Sequence, residues 1–356
     1  MSLADLRKRI DALDEKIIAL LNDRADLVHE VGNVKKAEGL AIYVPEREEQ
    51  LLRGLVRKSK GRRLPAKAIR AIYREIMSAS YALEKGLRIG YLGPAGTYTH
   101  EAARAKFGAS VEYETNGNIA EVFQSVLRGQ CDYGVVPIEN STEGVVNHTL
   151  DEFMDSDLKI CAQILLPIRH NLLSRIPAKE IRRIYSHPQS FAQCRQWLRT
   201  HLPGAELIEV SSNTRAAERA AEEINAAAIA GNMAAELYQL PALHTSIQDY
   251  ADNTTRFLVI SHTDCPPSGD DKTSMMFSVQ DKPGALFKTL EPLKRLKINM
   301  SKIESRPSKR KAWEYFFFVD IDGHATDPLL VEALAALARH CTFIKILGSY
   351  PKAAAN

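Results

Sequence analysis

The sequence predicts three successive domains of different classes: an all-α domain at residues 1–86, an α/β domain at 87–264 and, after a linker at 265–271, an α+β domain at 272–356. Apolar residues recur every three or four positions through the first part of the chain, which is typical of amphipathic helices. Apolar runs alternate with helical segments through the middle part, as in α/β proteins. The last part has the predicted element order βαββαβ, which is ferredoxin-like.

The composition narrows the function classes. With 356 residues, 45% of them hydrophobic, the chain is long enough for two or three domains with real cores. Its net charge of +3 favours neither nucleic acid nor a membrane as a partner. Five scattered cysteines without CxxC spacing suggest neither a disulfide framework nor a metal site. Since we find no signal-peptide pattern and no membrane-spanning apolar run, we expect a soluble cytoplasmic protein without a cofactor.

The first predicted helix carries a charge on its apolar stripe. Arg24 occupies a position where a further apolar residue is expected, and Lys35 lies about three turns later on nearly the same face. A charge on such a face is costly unless it is paired or binds something. Arg24 therefore either forms a buried ion pair with another helix or binds an anion. The stripe itself consists of Leu6, Ile10, Leu13, Ile17, Leu20, Leu27, Val31 and Val34.

Two further helices are predicted, and a proline opens each of them. The first turn of the second helix contains Arg47 and Glu48, whose side chains either contact solvent or point inward. In the third helix Ser80 interrupts the apolar stripe, and Glu84 lies four residues later on the same face. The three helices thus bring several charged and polar groups near their inward faces.

A polar cluster follows an apolar run in the middle of the chain. The apolar run Tyr133–Pro137 predicts a buried strand, and Glu139, Asn140, Ser141 and Thr142 follow it. Such a strand can deliver carboxylate, amide and hydroxyl groups to a cleft. The alternative is a strand end followed by an Asx or Ser/Thr turn.

A glycine loop precedes this cluster. Gly90, Gly93 and Gly96 have the spacing GxxGxxG and not the GxGxxG of a dinucleotide-binding loop, so nicotinamide nucleotide binding is not favoured. Thr97 can cap the helix that follows, and the N–H groups at that helix start suit a carboxylate.

Two more polar segments come later in the α/β domain. Ser186-His187-Pro188-Gln189 follows a short predicted strand and opens a helix predicted over Pro188–Leu202. Asn253-Thr254-Thr255-Arg256-Phe257 leads into the last predicted strand of this domain. Each segment places polar side chains at the end of a regular element, where binding residues commonly lie.

The C-terminal part has six predicted elements. In order, they are a strand at Thr273–Gln280, a helix at Ala285–Leu296, strands at Met300–Ser305 and Trp313–Ile321, a helix at Leu329–Arg339 and a strand at Thr342–Leu347.

These motifs together resemble a known family. In order and in rough spacing, the four polar segments Gly93–Tyr98, Val135–Gly144, Ser186–Gln189 and Asn253–Phe257 resemble the signature segments of prephenate dehydratases. With both flanks included, the whole chain is similar to the bifunctional chorismate mutase–prephenate dehydratases of phenylalanine biosynthesis, which end in a regulatory ACT domain.

The resemblance implies roles for the charged residues of the first domain. Chorismate rearranges to prephenate in one pericyclic step, so the site needs no nucleophile or metal; it holds a dicarboxylate and stabilises the breaking ether bond. Arg7, Arg24 and Arg47 are expected to hold the carboxylates, Lys35 and Glu84 to contact the ether oxygen and Glu48 to contact the ring hydroxyl, with Ser80 also at a matching position.

Two details of this match carry further expectations. Arg7 and Arg24 are about 25 Å apart along one helix, so one small substrate cannot contact both. If both serve one pocket, Arg7 comes from another subunit, and we expect an intertwined homodimer or a higher homo-oligomer. Many relatives have Gln at position 84, whereas Glu84 must be protonated to donate to the ether oxygen. We therefore expect mutase activity to fall as the pH rises.

The resemblance also implies a two-lobed dehydratase domain like a periplasmic binding protein, with one lobe at about 87–165 plus 241–264 and the other at 166–240. Prephenate loses carbon dioxide and hydroxide, so the site must hold two carboxylates and protonate the departing hydroxyl. Thr255 matches a threonine that is critical in the family, and we expect it to donate a hydrogen bond to that hydroxyl. Glu139 and His187 are the other candidate acids.

The remaining dehydratase residues are expected to bind substrate. Arg256 should bind or orient a carboxylate, with a surface ion pair as the alternative, and a helix-capping turn is the alternative for His187. Asn213–Arg215 also resembles a binding segment of the family. The expected pocket lining comprises Thr97, Glu139, Asn140, Ser141, Thr142, Ser186, His187, Gln189 and Phe257.

Two motifs of the last domain resemble the effector site of ACT domains in phenylalanine-regulated enzymes. They are Gly284-Ala285-Leu286 at a helix start and Glu304-Ser305-Arg306-Pro307 after a strand. The resemblance implies L-phenylalanine as the effector, its carboxylate meeting backbone donors at the helix start. The alternative is a dimerisation module without a ligand.

Two other functions compete with this interpretation. A sensor of aromatic acids or amino acids, with one or both catalytic sites inactive, could use the same cleft fold. A mutase fused to a prephenate dehydrogenase would need the GxGxxG loop that this sequence lacks. Retention of the charged mutase residues together with Thr255 favours an enzyme that converts chorismate to prephenate and prephenate to phenylpyruvate.

Overall fold

The computed structural model describes residues 1–308 and 314–353 and begins with three helices, α1 Leu3–Glu38, α2 Pro45–Ser59 and α3 Ala66–Glu84. Ser2 and Asp5 form a capping box at the start of α1, and Gly39 ends it in the left-handed region at a φ of 68°. α1 buries none of its residues. Its apolar stripe faces solvent, and Leu13 is 57% exposed. The apolar stripe that was expected in a core is therefore exposed to solvent in the single chain.

The first lobe of the middle region is a mixed six-stranded sheet. Its strands are β1 Arg88–Leu92, β2 Glu112–Asn116, β3 Tyr133–Asn140, β4 Gly144–Val145, β5 Lys159–Pro167 and β11 Thr254–Ser261. Their order is β2-β1-β3-β11-β5, with β4 paired to β3. β1 is parallel to β2 and β3, whereas β11 is antiparallel to β3 and β5. The helices α4 Tyr98–Phe107, α5 Ile119–Leu127 and α6 Asn147–Asp155 pack against this sheet.

The second lobe has its own five-stranded sheet, with the strand order β10-β6-β9-β7-β8. Its elements are β6 Asn171–Leu173, a 3₁₀ turn at Ala178–Glu180, β7 Arg183–Ser186, α7 Pro188–Gln193, α8 Arg195–His201, β8 Glu206–Glu209, α9 Asn213–Glu222, β9 Ala226–Ala230, α10 Asn232–Tyr238 and β10 Ala242–His244.

Two sequence expectations for this lobe need correction. β10 pairs with β6, so it belongs to the second lobe, although residues 241–264 were expected in the first. The helix predicted over Pro188–Leu202 is broken at Cys194, where the backbone leaves helical geometry with a φ of −116° and a ψ of 14°.

The C-terminal region has the predicted βαββαβ order, which confirms its ferredoxin-like class. Its elements are β12 Asp271–Ser278, α11 Ala285–Arg295, β13 Met300–Pro307, β14 Tyr315–Asp322, α12 Pro328–Ala338 and β15 Phe343–Pro351. The strands form one antiparallel sheet in the order β13-β14-β12-β15. β12 starts at Asp271, inside the expected linker, and the predicted strand start at Trp313 lies outside the described residues.

The first-lobe sheet lies between the helical region and the C-terminal sheet. On one face, Tyr43 packs against Tyr81 of α3 and against Phe107 and Tyr133 of the first lobe. On the other face, Leu258 shares a core with C-terminal residues. Because side chains along β11 alternate between the two faces of the sheet, this strand packs against the helical side with one set and against the C-terminal sheet with the other. In the described part of the chain, every helix is too short or too polar to cross a bilayer.

Candidate active sites

Two polar pairs link α1 to α3. The Lys35 Nζ donates to Glu84 Oε2 at 3.0 Å and to the Ile42 carbonyl at 2.8 Å. About three turns towards the start of α1, the Arg24 guanidinium donates to the Ser80 hydroxyl at 2.6 Å. The partner of Arg24 is therefore a hydroxyl and not the carboxylate of a buried ion pair. Four of the residues expected in the mutase site are brought together in this way.

A large cavity adjoins the Lys35–Glu84 pair. Its volume is about 700 Å³, and it lies where the end of α1 meets the first lobe. Lys35 and Glu84 line it from the helical region, and Tyr133 and His262 line it from the α/β region. The Glu84 side chain is only 6% exposed, so the pair sits at a desolvated edge of this cavity.

The other predicted mutase residues lie elsewhere in the single chain. Arg7 and Arg47 are exposed. Glu48 is buried at 8% exposure, but its carboxylate accepts hydrogen bonds from the Tyr81 hydroxyl at 3.2 Å and from Lys106 Nζ at 2.9 Å. Because Lys106 belongs to α4, Glu48 ties the helical region to the first lobe in this structure.

A second cavity of about 380 Å³ lies between the two lobes of the middle region. Asn140, Thr255 and Phe257 line it from the first lobe, and His187 and Gln189 line it from the second. These five residues come from sequence segments that are far apart, and the fold brings them to one cleft. They are the part of the expected dehydratase lining that the cleft contains.

The Asn140 side chain has a defined orientation in this cleft. Its Oδ1 accepts the backbone N–H of Thr142 at 2.9 Å and that of Glu143 at 3.1 Å. Its Nδ2 therefore points the other way and donates to Thr255 Oγ1 at 2.7 Å. Thr255 accepts this bond, which leaves its own hydroxyl proton free for another partner.

An amide chain crosses from the first lobe to the second. Asn140 Nδ2 donates to Asn253 Oδ1 at 2.8 Å, and Asn253 Nδ2 donates to Gln193 Oε1 at 2.8 Å. Gln193 in turn donates to Glu143 Oε1 at 2.9 Å. Gln193 is a cleft residue that was not expected from the sequence. The available signal was its position four residues after Gln189, on the same face of a helix.

His170 is another cleft residue that the sequence analysis missed. It lies 2.8 Å from the Tyr98 hydroxyl and 2.7 Å from Gln193 Oε1, both of which also line the cavity or its rim. Burial lowers the pKa of His170, so its imidazole is held neutral. No sequence motif marked this histidine, since it precedes an ordinary buried strand.

Several expected lining residues have local structural partners. Thr97 caps α4 through its hydroxyl, which also donates to the Leu92 carbonyl at 3.0 Å. Ser186 donates to the Ile229 carbonyl and to Asn213 inside the second lobe. Thr142 closes the Asx turn that was the alternative interpretation of the polar cluster and also accepts from Gln193 Nε2 at 3.2 Å, whereas Ser141 donates to the Asp252 carbonyl at 2.9 Å. These four residues are not part of the cleft lining.

His187 has both of the roles considered for it, since it caps a helix and also lines the cleft. Its Nδ1 accepts the Gln189 N–H at 3.3 Å as the N-cap of α7, and its side chain also lines the cleft. Asn213 stabilises the start of α7, because its Oδ1 accepts from the His187 N–H at 3.2 Å and from the Ser190 hydroxyl at 3.0 Å.

Arg256 and Glu139 face away from the cleft, so their expected roles as cleft-lining substrate contacts are wrong in this structure. Arg256 Nη1 lies 3.0 Å from Glu139 Oε1 and 2.5 Å from Asp320 Oδ2 of the C-terminal region. Glu139 also pairs with Lys302. The physical reason is the alternation of side chains along a strand, which sends Thr255 and Arg256 to opposite faces.

Glu139 is also unsuited to be the proton donor. Burial raises the pKa of its carboxyl, but the nearby Lys302 ammonium and Arg256 guanidinium outweigh burial, so the net pKa lies below its usual value. An ionised carboxylate accepts protons and cannot donate one.

The two predicted effector motifs lie in the C-terminal region. Gly284 is the N-cap of α11 at a φ of 77°, which a glycine adopts readily, and Ala285 begins the helix. Glu304–Pro307 ends the edge strand β13, where Arg306 Nη2 binds both carboxylate oxygens of Asp151 at 2.7 and 2.9 Å. Asp151 belongs to α6, so this motif contacts the first lobe directly.

The chain is similar to characterised families along nearly its whole length. Family models match in succession: chorismate mutase type II at residues 6–85, prephenate dehydratase at 89–265 and the ACT domain at 273–339. The bifunctional chorismate mutase/prephenate dehydratase of Aquifex aeolicus is 48% identical over 99% of this chain and 98% of its own length. That of Pseudomonas aeruginosa is 47% identical, with the same shares covered.

Among solved structures, a prephenate dehydratase from Arthrobacter aurescens in complex with L-Phe is 35% identical with a TM-score of 0.70. The match covers 75% of this chain and 90% of that chain. With all three family models in order and two relatives matched end to end, the resemblance noted in the sequence is confirmed, and the chain belongs to the family of bifunctional chorismate mutase/prephenate dehydratases.

Proposed function

We propose that the chain converts chorismate to prephenate at the Lys35–Glu84 site and prephenate to phenylpyruvate in the cleft between the lobes. The observation that carries the proposal is the presence of two separate cavities in one chain, each lined by residues expected for one of the two reactions. The full-length relatives with both activities in their names support the same assignment.

The first reaction needs donors for an ether oxygen and for two carboxylates. Lys35 has three N–H donors, of which two are used on Glu84 and on the Ile42 carbonyl. The third remains for the ether oxygen of chorismate. Arg24 uses one of its five donors on Ser80, which leaves a guanidinium edge for a carboxylate. These groups stabilise the negative charge that develops on the oxygen as the C–O bond breaks.

In the second reaction the bond between the ring and its carboxylate breaks, and carbon dioxide leaves. The released electron pair moves through the ring and expels the hydroxyl group, which takes a proton and departs as water. Thr255 would donate a hydrogen bond to this hydroxyl, and the bond that it accepts from Asn140 Nδ2 supports this role, since it leaves the hydroxyl proton for the substrate. His187 and Gln189 from the second lobe would hold the carboxylate end of the substrate.

We propose that the active unit is a homodimer formed through α1. The apolar stripe of this helix is exposed along its length, and Leu13, Ile17 and Leu20 are 57%, 52% and 66% exposed. A continuous exposed stripe of this kind marks an interaction surface. Pairing of two copies would cover the stripe and bring the partner's end of α1, with Arg7, towards the site that contains Arg24.

We propose L-phenylalanine as a feedback inhibitor that binds at the motifs around Gly284 and Glu304–Pro307. The solved relative in complex with L-Phe and the match to the ACT family support this assignment. Inhibition requires that the effector binds the less active state more tightly. The Arg306–Asp151 contact supplies a route from this motif to the first lobe. We place both reactions in the cytoplasm, without a metal or other cofactor.

The test is to give the purified chain chorismate alone and to follow prephenate and phenylpyruvate, with and without L-phenylalanine. We expect phenylpyruvate to form from chorismate, and its rate to fall when phenylalanine is added. Accumulation of prephenate without phenylpyruvate would reduce the cleft to a binding site and favour the sensor alternative. No consumption of chorismate would refute the mutase assignment.

A further inference from the structure

Two neighbouring residue pairs on β3 and β11 face opposite sides of the first-lobe sheet. Thr255 pairs across the strands with Asn140, and this pair lies in the cleft. Arg256 pairs with Glu139, and this pair faces the C-terminal sheet. The chemistry of the cleft and the packing of the C-terminal region therefore meet at two adjacent residues of one strand.

The C-terminal sheet holds the Arg256 side chain at several points. Arg256 Nη1 lies 2.5 Å from Asp320 Oδ2 on β14, and Nη2 donates to the Tyr350 hydroxyl on β15 at 2.8 Å. The Ser274 hydroxyl on β12 bonds both Asp320 and Tyr350. Three strands of the C-terminal region thus converge on one guanidinium of the first lobe.

Because the groups around Arg256 are buried, the loss of one of these contacts cannot easily be compensated by solvent. Arg256 is 6% exposed, Asp320 is 5% exposed and Tyr350 is fully buried. Glu139 cannot replace Asp320 as the sole partner of Arg256, because Glu139 also neutralises Lys302. A buried guanidinium that loses its carboxylate must find water or move. A small cavity of about 20 Å³, roughly the size needed for one water molecule, adjoins Arg256, Ser274 and Asp320.

A backbone shift at Arg256 would also displace Thr255, because the two residues share a peptide unit. The pairing of β11 with β3 shifts register between Arg256 and Phe257, so this part of the strand is already irregular. Asn140 cannot follow such a shift, since the backbone of Thr142 and Glu143 fixes its side chain. The Asn140–Thr255 hydrogen bond is therefore the contact that changes when Arg256 moves.

We propose that Asp320 of the C-terminal region is a positioning residue for the dehydratase reaction, acting through Arg256 on the placement of the Thr255 hydroxyl. The inference rests on the proposed dehydratase function of the cleft. It makes the C-terminal region part of the scaffold of the active site even without an effector. An effector that altered the geometry of β14 or β15 would use the same connection.

The test is Asp320→Asn in the full-length protein, with prephenate as the substrate. We expect kcat to fall by about 10- to 100-fold, as for a misplacement of about 1 Å, with KM changed less than about threefold because the second-lobe contacts remain. The rate of chorismate consumption by the same preparation should stay at the wild-type value, which shows that the variant is folded. Tyr350→Phe removes only one contact of Arg256 and should lower kcat by a smaller factor.

Lys345→Met is the matched control. Lys345 also bridges the C-terminal region to the first lobe, through the carbonyls of Phe153 and Ser156, but it does not touch β11. We expect its kcat for prephenate to match the wild type. In addition, Asp320→Asn should cause little further loss of kcat in an Arg256→Gln background, since Asp320 acts through Arg256.

Four outcomes decide the inference. An unchanged kcat in Asp320→Asn would overturn it, as would an equal loss of kcat in Lys345→Met, which would indicate general docking of the two regions. Independent, multiplicative losses in the double variant would also overturn the route through Arg256. A wild-type protein that makes no phenylpyruvate from prephenate would overturn the proposed function first, and the role of Asp320 with it.

Discussion

The Lys35 ammonium lies 3.0 Å from the Glu84 carboxylate and joins the last turn of α1 to the last turn of α3. Glu84 accepts the hydrogen bond from Lys35 on the oxygen that faces it. To assist the mutase reaction as a donor, Glu84 must carry a proton on its other oxygen.

Glu84→Gln tests this requirement. The amide has nearly the same shape and donates a hydrogen bond without binding a proton, so we expect its mutase kcat/KM to be at least that of the wild type. Glu84→Ala has no donor at this position and should lose most of the activity. The measurement is the initial rate of chorismate consumption at neutral pH. The rate with prephenate serves as the control, since the cleft is unchanged. Wild-type kcat/KM in the alanine variant would show that Glu84 is not a donor.

Thr255→Val removes the hydroxyl in the cleft and keeps the branched shape. Because the hydroxyl is the proposed donor to the leaving group, we expect kcat for prephenate to fall by about 10²- to 10³-fold. Thr255→Ser keeps the hydroxyl and should retain most of the activity. Chorismate consumption should be the same in all three proteins. Full activity of the valine variant would assign the donor role to another group.

Complementation between two inactive variants tests the shared mutase site. Arg7→Ala and Arg24→Ala should each be inactive alone. In a mixed dimer, one site combines the intact Arg24 of one chain with the intact Arg7 of the other. Random pairing of co-expressed variants makes half the dimers mixed, each with one intact site, so about a quarter of the wild-type activity should return. No recovery, with mixed dimers present, would mean that Arg7 does not act across subunits.

Lys106→Met probes the contact between the helical region and the first lobe. Lys106 pairs with the buried Glu48 carboxylate and lies 5.6 Å from the centre of the Tyr43 ring. Loss of the cation leaves the buried carboxylate with the Tyr81 hydroxyl as its remaining side-chain partner among the described residues, and we expect the free energy of unfolding to fall by about 3 kcal/mol. Lys106→Arg keeps the positive charge and should have a free energy of unfolding close to that of the wild type. Urea unfolding measures the difference, and equal midpoints and slopes for wild type and Lys106→Met would contradict it.

The stability of the first lobe should depend on pH through His100. Burial lowers the pKa of His100 to about 4, so its imidazole is neutral when folded, stacked on Tyr91 and accepting the Gly96 N–H. Between the usual histidine pKa of about 6.5 and 4, the unfolded chain takes up a proton that the folded chain does not. Stability should therefore be complete above that window and decline as the pH falls through it.

His100→Asn keeps an acceptor for Gly96 and removes the titration. Its free energy of unfolding should fall less between pH 7 and pH 5 than that of the wild type, as measured by urea unfolding at both values. His148→Asn, at an exposed position of α6, should keep the wild-type dependence. A His100→Asn variant with the full wild-type loss would show that another group causes it.

Local sequence patterns were sufficient to predict the structural class of each region and some of the residues in each site. The period of the apolar residues predicted the three helices, and the βαββαβ order of the C-terminal region is confirmed. Asn140, His187, Gln189, Thr255 and Phe257 were expected in the cleft, and all five line it. Gln193 and His170 escaped notice because each looks like an ordinary helix or loop residue until the second lobe is placed against the first.

By itself, the sequence determined the order of the three regions, the family and the residue types that the two reactions need. These follow from short-range periodicity and from contiguous motifs. Only the tertiary structure decided the direction of each side chain: Thr255 faces the cleft, whereas its neighbour Arg256 faces Asp320, 64 residues away in sequence. The physical reason is that strands alternate their side chains, so a contiguous motif is divided between two faces. What each face meets depends on the regions packed there, and no local pattern encodes that packing.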